Sequence, residues 1–310
     1  MRSIITIILS IIICESSHAQ VNINNNDAAI FLSEYLTPLS SGVGSALNNG
    51  WYNTAKPHKM GGFDLSLSLN TLLIPKDKKS FDPNDLENFS SLSSETPTIL
   101  GKGDGALITY NGNEIKLPNQ DNTIVALAIP TINGGIGIIK KTEINARYMP
   151  TYNFNAGFAG KGEISLWGIG FKHDVLQWIP VIGNTIPLSL SIQGAYSKLN
   201  SKQSIINQDV DLKIEAYNIN LIASRKILML TAFAGIGYNS TKSSFITNLD
   251  QEFNLGELNI ASPMELEFEA ENYYRANIGL RFNIAVLALQ ANYTISEYPV
   301  LTIGAGVSIR

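Results

Sequence analysis

The sequence is poor in cysteine, histidine and charge, and it contains no long apolar run after its first twenty residues. Cys14 is the only cysteine in 310 residues. It lies in the N-terminal apolar stretch, so a processed chain has no thiol. That excludes disulfide scaffolds, cysteine nucleophiles and thiolate metal sites. A lipid-attachment site is the sharper reading of Cys14, but Ile11-Ile12-Ile13 lacks the small residue usual before one. His18, His58 and His173 are scattered and make no metal site. Charged residues are 15% of the chain against 45% hydrophobic, where a soluble domain carries about a quarter charged. A lipid-facing surface accounts for the deficit. The net charge of −4 comes without a basic block, so nothing points to nucleic acid. No later segment offers about 20 consecutive apolar residues for a spanning helix. The other structure that satisfies every backbone group within lipid is a closed barrel.

The N-terminus sets the expected compartment. Met1-Arg2 is followed by a nearly unbroken apolar run, Ile4 to Ile13, and then by Ser17-His18-Ala19. This is the order of a secretory signal peptide, and the run is too short to span a bilayer. The expected division is a signal peptide over 1–19, a plug segment over 20–60 and a transmembrane barrel over 61–310.

Alternation with period two locates the strands. In the last third, Tyr274, Ala276, Ile278, Leu280 and Phe282 alternate with Arg275, Asn277, Gly279 and Arg281. Leu287 to Ile295 and Leu301 to Ile309 repeat the pattern, apolar outward and small or polar inward. Phe63 to Asn70, Ile144 to Tyr148 and Leu188 to Ala195 agree. The polar face is mostly Ser, Asn, Gly and Gln, which suits a wet lumen better than the Lys and Glu of a soluble sandwich. Two stretches are apolar on both faces: Ile164 to Phe171 and Ile227 to Tyr238. The lumen is therefore expected to be partly greasy, whether from packing on a plug or from a ligand path. The fold class is all-β: one antiparallel up-and-down transmembrane barrel of about 12 strands (range 10–14). The strands are expected near 62–73, 103–110, 122–130, 134–140, 142–150, 162–172, 186–198, 211–224, 227–240, 271–283, 286–296 and 299–309. Joins at 140–142, 225–226 and 283–286 are short and read as periplasmic. Segments 74–102, 199–210 and 241–270 are long and polar and read as external.

Val21 to Lys59 precedes the first strand and is not strand-like. Asp27 caps a short expected helix through Tyr35 and Leu36, ended by Pro38. Gly42 to Ala55 follows, rich in small residues. It resembles the N-terminal plug of FadL-type (long-chain fatty-acid transporter) barrels, in which such a segment ends in Asn-Pro-Ala. Asn53-Thr54-Ala55 stands at that place with the proline replaced. A second resemblance rests on Asn49-Gly50-Trp51-Tyr52-Asn53-Thr54-Ala55, on Lys141 to Tyr148 and on Gly168 to Pro180. It is to an uncharacterised outer-membrane barrel family of Bacteroidota, which implies a barrel but no substrate.

Candidate plug or gate residues are Asn49, Trp51, Tyr52 and Asn53. Candidate lumen residues are Met229, Phe233, Arg275, Asn277 and Arg281, with Phe233 or Met229 as the expected partners of Trp51 and Tyr52. His173-Asp174 invites a catalytic reading, but no serine motif accompanies it, and His173 reads as an anchor for a turn. The acidic stretches 82–85 and 248–252 fit no calcium loop. No catalytic residue, metal site or cofactor is expected. The expected partners are outer-membrane lipids and an unidentified small molecule. Three functions stand open. One is a channel for small or hydrophobic molecules. A second is a structural or adhesive barrel with a filled lumen. The third is a lipid-modifying enzyme, which the missing Ser/His pair disfavours.

Overall fold

The computed structural model describes residues 21–121, 124–155, 161–179, 187–205, 208–248, 253–255, 258–260, 264–270 and 273–309. The expected signal peptide and most of the acidic stretch 248–252 lie outside the described residues. Ten strands form the wall: β1 (Phe63–Leu73), β2 (Ala126–Ile138), β3 (Thr142–Asn155), β4 (Lys161–Asp174), β5 (Ser189–Ile205), β6 (Gln208–Ile227), β7 (Leu230–Asn248), β8 (Tyr274–Ile284), β9 (Leu287–Ile295) and β10 (Val300–Ile309). Each pairs antiparallel with the next, and β10 returns to pair with β1. Closure gives every strand of the ring a partner on both sides over at least part of its length. Met264–Ala270 extends the line of β8 along the upper part of β7.

Ten strands replace the expected twelve for two reasons. Residues 122–130 and 134–140, read as two strands, fall mainly in one: β2 passes through Asn133-Gly134-Gly135 without turning. A Cβ on Gly135 would stand 2.7 Å from Asn145 Nδ2 and 2.8 Å from Asp64 Oδ1. Glycine there makes room in a crowded lumen. The second reason is that 103–110 is not in the wall. Leu107–Tyr110 pairs with Phe89–Ser91 and Asn113–Lys116 in a small separate sheet.

The wall has two storeys. Along β8 the apolar residues Tyr274, Ile278, Leu280 and Phe282 are exposed, while Arg275, Asn277 and Arg281 are buried. β9 and β10 follow the same rule, as a lipid-embedded barrel requires. Along β6 the rule holds up to Tyr217 and then inverts. Ile219 and Leu221 face out and Asn218 and Asn220 face in. Beyond Tyr217, Ala216 and Ile214 are buried, and Glu215 and Lys213 take the outward side. Aromatic rings mark the change. Trp167 and Tyr196 are 5.4 Å apart, Tyr196 and Tyr217 4.9 Å, and Tyr238 and Tyr274 6.0 Å. Such a girdle belongs at a membrane–water boundary. Above it lie the outward ion pairs Lys198–Glu215 and Lys242–Glu269, both at 2.7 Å.

Short turns join the strands at the far end, around Ile139–Lys141, Leu228–Met229 and Ala285–Val286. The second was expected at 225–226, but β6 and β7 run further and pair down to Ile227–Leu230. At the long-loop end, most of 199–210 and the stretch 241–248 are strand where loops were expected.

A helix, α1 (Asn25–Leu47), packs against β1, β2, β6 and β7 inside the ring. The Asn24 side chain caps it, accepting the Asp27 N–H at 2.9 Å. Phe31, Tyr35, Leu39, Val43 and Leu47 recur at helical spacing and are all buried. The helix does not end at Pro38, as expected, but continues through it. Proline removes one backbone donor at a cost of about 3 kcal/mol. Burial of a Leu or Phe side chain contributes about 1.5–3 kcal/mol, and several such side chains offset that loss. Val21–Ile23, expected not to be strand, pairs parallel with Leu258–Ile260 in the excursion between β7 and β8. The excursion between β1 and β2 covers the upper end of α1. Its Ile99, Ile108 and Leu117 join Phe31 and Tyr35 in one buried cluster.

Candidate functional site

From the cover, the chain descends through the ring to the short-turn end. Ile99 N–H donates to Tyr35 O at the top, and Gly61 N–H donates to Gly137 O at the bottom. The candidate site is the lumen between these two points.

At mid-height, α1 ends and its last carbonyls meet two arginines from the wall. Arg147 of β3 donates to Leu47 O at 2.6 Å and to Asn49 O. Its guanidinium lies 4.2 Å from the Trp51 ring centroid, a cation–π contact. Arg275 of β8 donates to Asn48 O and to Asn49 Oδ1. Trp51 Nε1–H donates to Leu47 O at 3.2 Å. Asn49 thus stands at the centre of the clamp and is 1% exposed. Arg147 was read from sequence only as one polar residue in an alternating run. Nothing in that run distinguishes a clamp from a solvated lumen charge.

Lower down, Tyr52 Oη donates to Asn277 Oδ1 at 2.8 Å. The Tyr52 ring meets Phe233 edge-on at 6.1 Å. Asn53 Oδ1 accepts from Arg281. The structure therefore brings together Asn49, Trp51, Tyr52, Asn53, Phe233, Arg275, Asn277 and Arg281. Met229 does not join them. It lies in the β6–β7 turn and is 54% exposed, because the alternation that gives Thr231 and Phe233 inward positions stops at that turn. Trp51 packs on Arg147 and, with Tyr52, shares one buried cluster with Phe233 and Ile222.

The lowest layer is a buried ionic cluster. Glu143 lies 2.7 Å from His58 Nδ1 and 2.9 Å from Lys172 Nζ, and it accepts the His58 backbone N–H at 2.9 Å. His58 Nε2 is 3.2 Å from Ser308 Oγ. Ala55 is held by Ser224 Oγ, 3.0 Å from its N–H, and by the Ser191 hydroxyl, which donates to its carbonyl at 2.5 Å. Plug and wall are thus joined by polar contacts from Leu47 to His58. A fully buried polar contact adds about 0.5–1.5 kcal/mol net, and loss of one partner costs more.

The wall has a seam at one place. β2 and β3 pair from Ile138–Thr142 to Ile132–Tyr148 and no further among the described residues. Two steps beyond, the register would set Pro130 against Pro150. Neither has an N–H to give, so the ladder stops. Pro150 also adjoins an irregularity in the β3–β4 register. Above the two prolines, β2 pairs only with β1 and β3 only with β4. Between this seam and α1 lies a cavity of about 200 Å³ with an almost wholly apolar lining. Leu39, Val43, Leu199 and Ile214 line it from within, and Pro130, Pro150 and Tyr152 line it at the seam.

His173 lies away from the lumen, as an anchor. Its Nδ1 is 2.8 Å from Thr142 Oγ1, and its Nε2 accepts from Trp178 Nε1–H at 2.9 Å. Asp82 accepts the Asn84 N–H at 2.9 Å and caps a short turn. Among the described residues, no group of three or more His, Cys, Asp or Glu is placed to hold a metal.

Among solved structures, the chain is similar to the translocator domain of the autotransporter NalP from Neisseria meningitidis, at 11% identity and TM-score 0.37, covering 93% of this chain and 99% of that one. It is similar to the outer membrane protease OmpT from Escherichia coli at 8% identity and TM-score 0.37, over 84% and 100% of the two chains. It is also similar to the Pseudomonas putida toluene transporter TodX at 8% identity and TM-score 0.30, over 83% and 69%. No curated protein matches the sequence. One family model matches residues 1–309, and the chain therefore belongs to the family of unknown function DUF6588.

Proposed function

We propose that the protein is a plugged outer-membrane channel that takes a small apolar molecule through the β2–β3 seam. The observation that carries this reading is the apolar cavity behind Pro130 and Pro150, set between α1 and an unpaired part of the wall. A molecule entering between the two unpaired strand edges reaches such a cavity without displacing α1. The signal-peptide-like N-terminus and the FadL-type order of the plug agree with this reading. Its long-loop end faces outward, following the asymmetry of outer-membrane barrels. The test is Pro130→Val/Pro150→Val, which restores two backbone donors and lets the ladder continue. Uptake of a small apolar dye into proteoliposomes should fall at least about fivefold, one regained backbone hydrogen bond holding the seam closed by about 1 kcal/mol. Unchanged uptake would remove the seam from the function.

A second reading is a structural or adhesive barrel. It is favoured by the polar contacts that join plug and wall from Leu47 to His58. In that case neither the seam nor the plug affects permeation. The lipid-modifying enzyme has no support in the His173 geometry, where both ring nitrogens face structural partners.

A further inference from the structure

Among the described residues, the lumen cations Arg147 and Arg275 have no carboxylate partner. Arg147 is 1% exposed and Arg275 5%. Glu143, the buried acid of the lumen, is taken up by His58 and Lys172. The partners of Arg147 and Arg275 are backbone carbonyls, Asn49 Oδ1, Asn133 Oδ1, Thr294 Oγ1 and an indole face. A buried charge without a counter-charge is unfavourable. What stands in for one is the C-terminus of α1, whose unpaired carbonyls carry about half a negative charge. Leu47 O and Asn48 O, from that one helix end, receive both guanidinium groups. Two positive charges against about half a negative one leaves the site electropositive. Arg275 Nε is also buried and has no hydrogen-bond partner. A guanidinium edge presents two parallel N–H donors, the fork that a carboxylate or phosphate accepts in bidentate fashion.

We propose that Arg147 and Arg275 form an oxyanion site, occupied by the α1 C-terminus in the closed state and open to a carboxylate- or phosphate-bearing solute when that end withdraws. The site lies one to two helical turns beyond the apolar cavity and binds chemically different ligands. The plug is then a competitor for the solute it excludes. The role of the site in permeation rests on the channel reading, but its binding chemistry does not.

The test uses the full chain with Cys14→Ser and Ala55→Cys in proteoliposomes. Ala55 is fully buried, so its replacement reacts with neutral N-ethylmaleimide only when the plug leaves the wall. Replacing chloride with inorganic phosphate at constant ionic strength should raise the labelling rate at least about fivefold, because phosphate competes for the arginines. Equal rates in the two salts overturn the proposal. In Arg147→Gln/Arg275→Gln, labelling should be fast in both salts, and a surviving phosphate effect also overturns it. Should that variant not fold, Arg275→Lys carries the test. It keeps the charge and loses the fork, so the phosphate response should weaken, and an undiminished response refutes the bidentate site. Conductance recorded in the same phosphate buffer separates the two claims. Labelling that responds without conductance keeps the oxyanion site and rejects the channel.

Discussion

Gly44 is the point at which helix propensity and packing oppose each other most sharply. It lies within α1, and a Cβ built there would stand 2.2 Å from both Oγ1 and Cγ2 of Thr241 on β7 and 2.7 Å from its Cβ. Alanine in a helix interior is favoured over glycine by about 1 kcal/mol. Carbon contacts are comfortable only near 3.5–4.0 Å, so this methyl belongs at the upper end of the overpacking range, about 3 kcal/mol. The net effect of Gly44→Ala is then about 2 kcal/mol against the docked plug, roughly a thirtyfold larger undocked population. Labelling of Ala55→Cys reads that population directly and should accelerate by the same factor. In a Thr241→Gly background the clash is gone and only propensity remains. There Gly44→Ala should slow labelling by about fivefold, the equivalent of 1 kcal/mol. A Gly44→Ala variant that labels no faster than its parent would mean that α1 does not pack on β7 as described.

Leu289 is 53% exposed on β9, and Leu289→Arg should lower barrel stability by about 2–4 kcal/mol near mid-membrane, read as loss of the heat-modifiable gel shift. A fully stable variant would argue against a lipid face. Asp27 tests the cover. Burial pushes its carboxyl up, but hydrogen bonds from Asn88, Tyr110 and Asn24 outweigh that and hold it below the usual carboxylate range. A carboxyl lowered by folding adds stability above its unfolded value of about 3.9, and that stability fades as pH falls through the folded value. Proteolysis of the cover should therefore accelerate below about pH 4, and Asp27→Asn should remove that pH dependence. His173→Ala should cost about 1–2 kcal/mol through the lost turn contacts and leave dye uptake unchanged. A loss of uptake in a folded His173→Ala barrel would reopen the catalytic reading.

The last three strands were legible because nearly all of each stands in the storey where polar side chains face in and apolar ones face out, so a period of two maps directly onto burial. Ile164 to Phe171 looked apolar on both faces because β4 crosses the girdle. Leu166 faces the greasy upper lumen, and Trp167, Ile169 and Phe171 face out. The turn at Leu228–Met229 carries no Asn-Gly or Asp-Gly signal. Leu228 itself takes a φ of 54°, so the boundary was misplaced and Met229 went with it. α1 was cut short at Pro38 because local propensity cannot see the wall that surrounds the helix. Among the site residues, Asn49 to Asn53 were found from their small, polar surroundings. The clamp was half found, since Arg275 sits in a clean alternating strand. Arg147 and Glu143 required the fold, because residues about 85–100 positions apart in sequence meet the plug only after closure. The seam was not seen, although two prolines equidistant from a tight turn at 139–141 are a signal that a register-based reading can use.

On the proposed channel reading, α1 and the following segment obstruct a passage that the wall alone leaves open. Single-channel conductance measures this most directly, comparing the full chain with a chain lacking residues 21–55. The full chain should be nearly silent in planar bilayers, and the shortened one should show a steady open conductance at the same protein density. Background conductance from a folded, shortened barrel would show that wall side chains fill the lumen, and it would contradict the account.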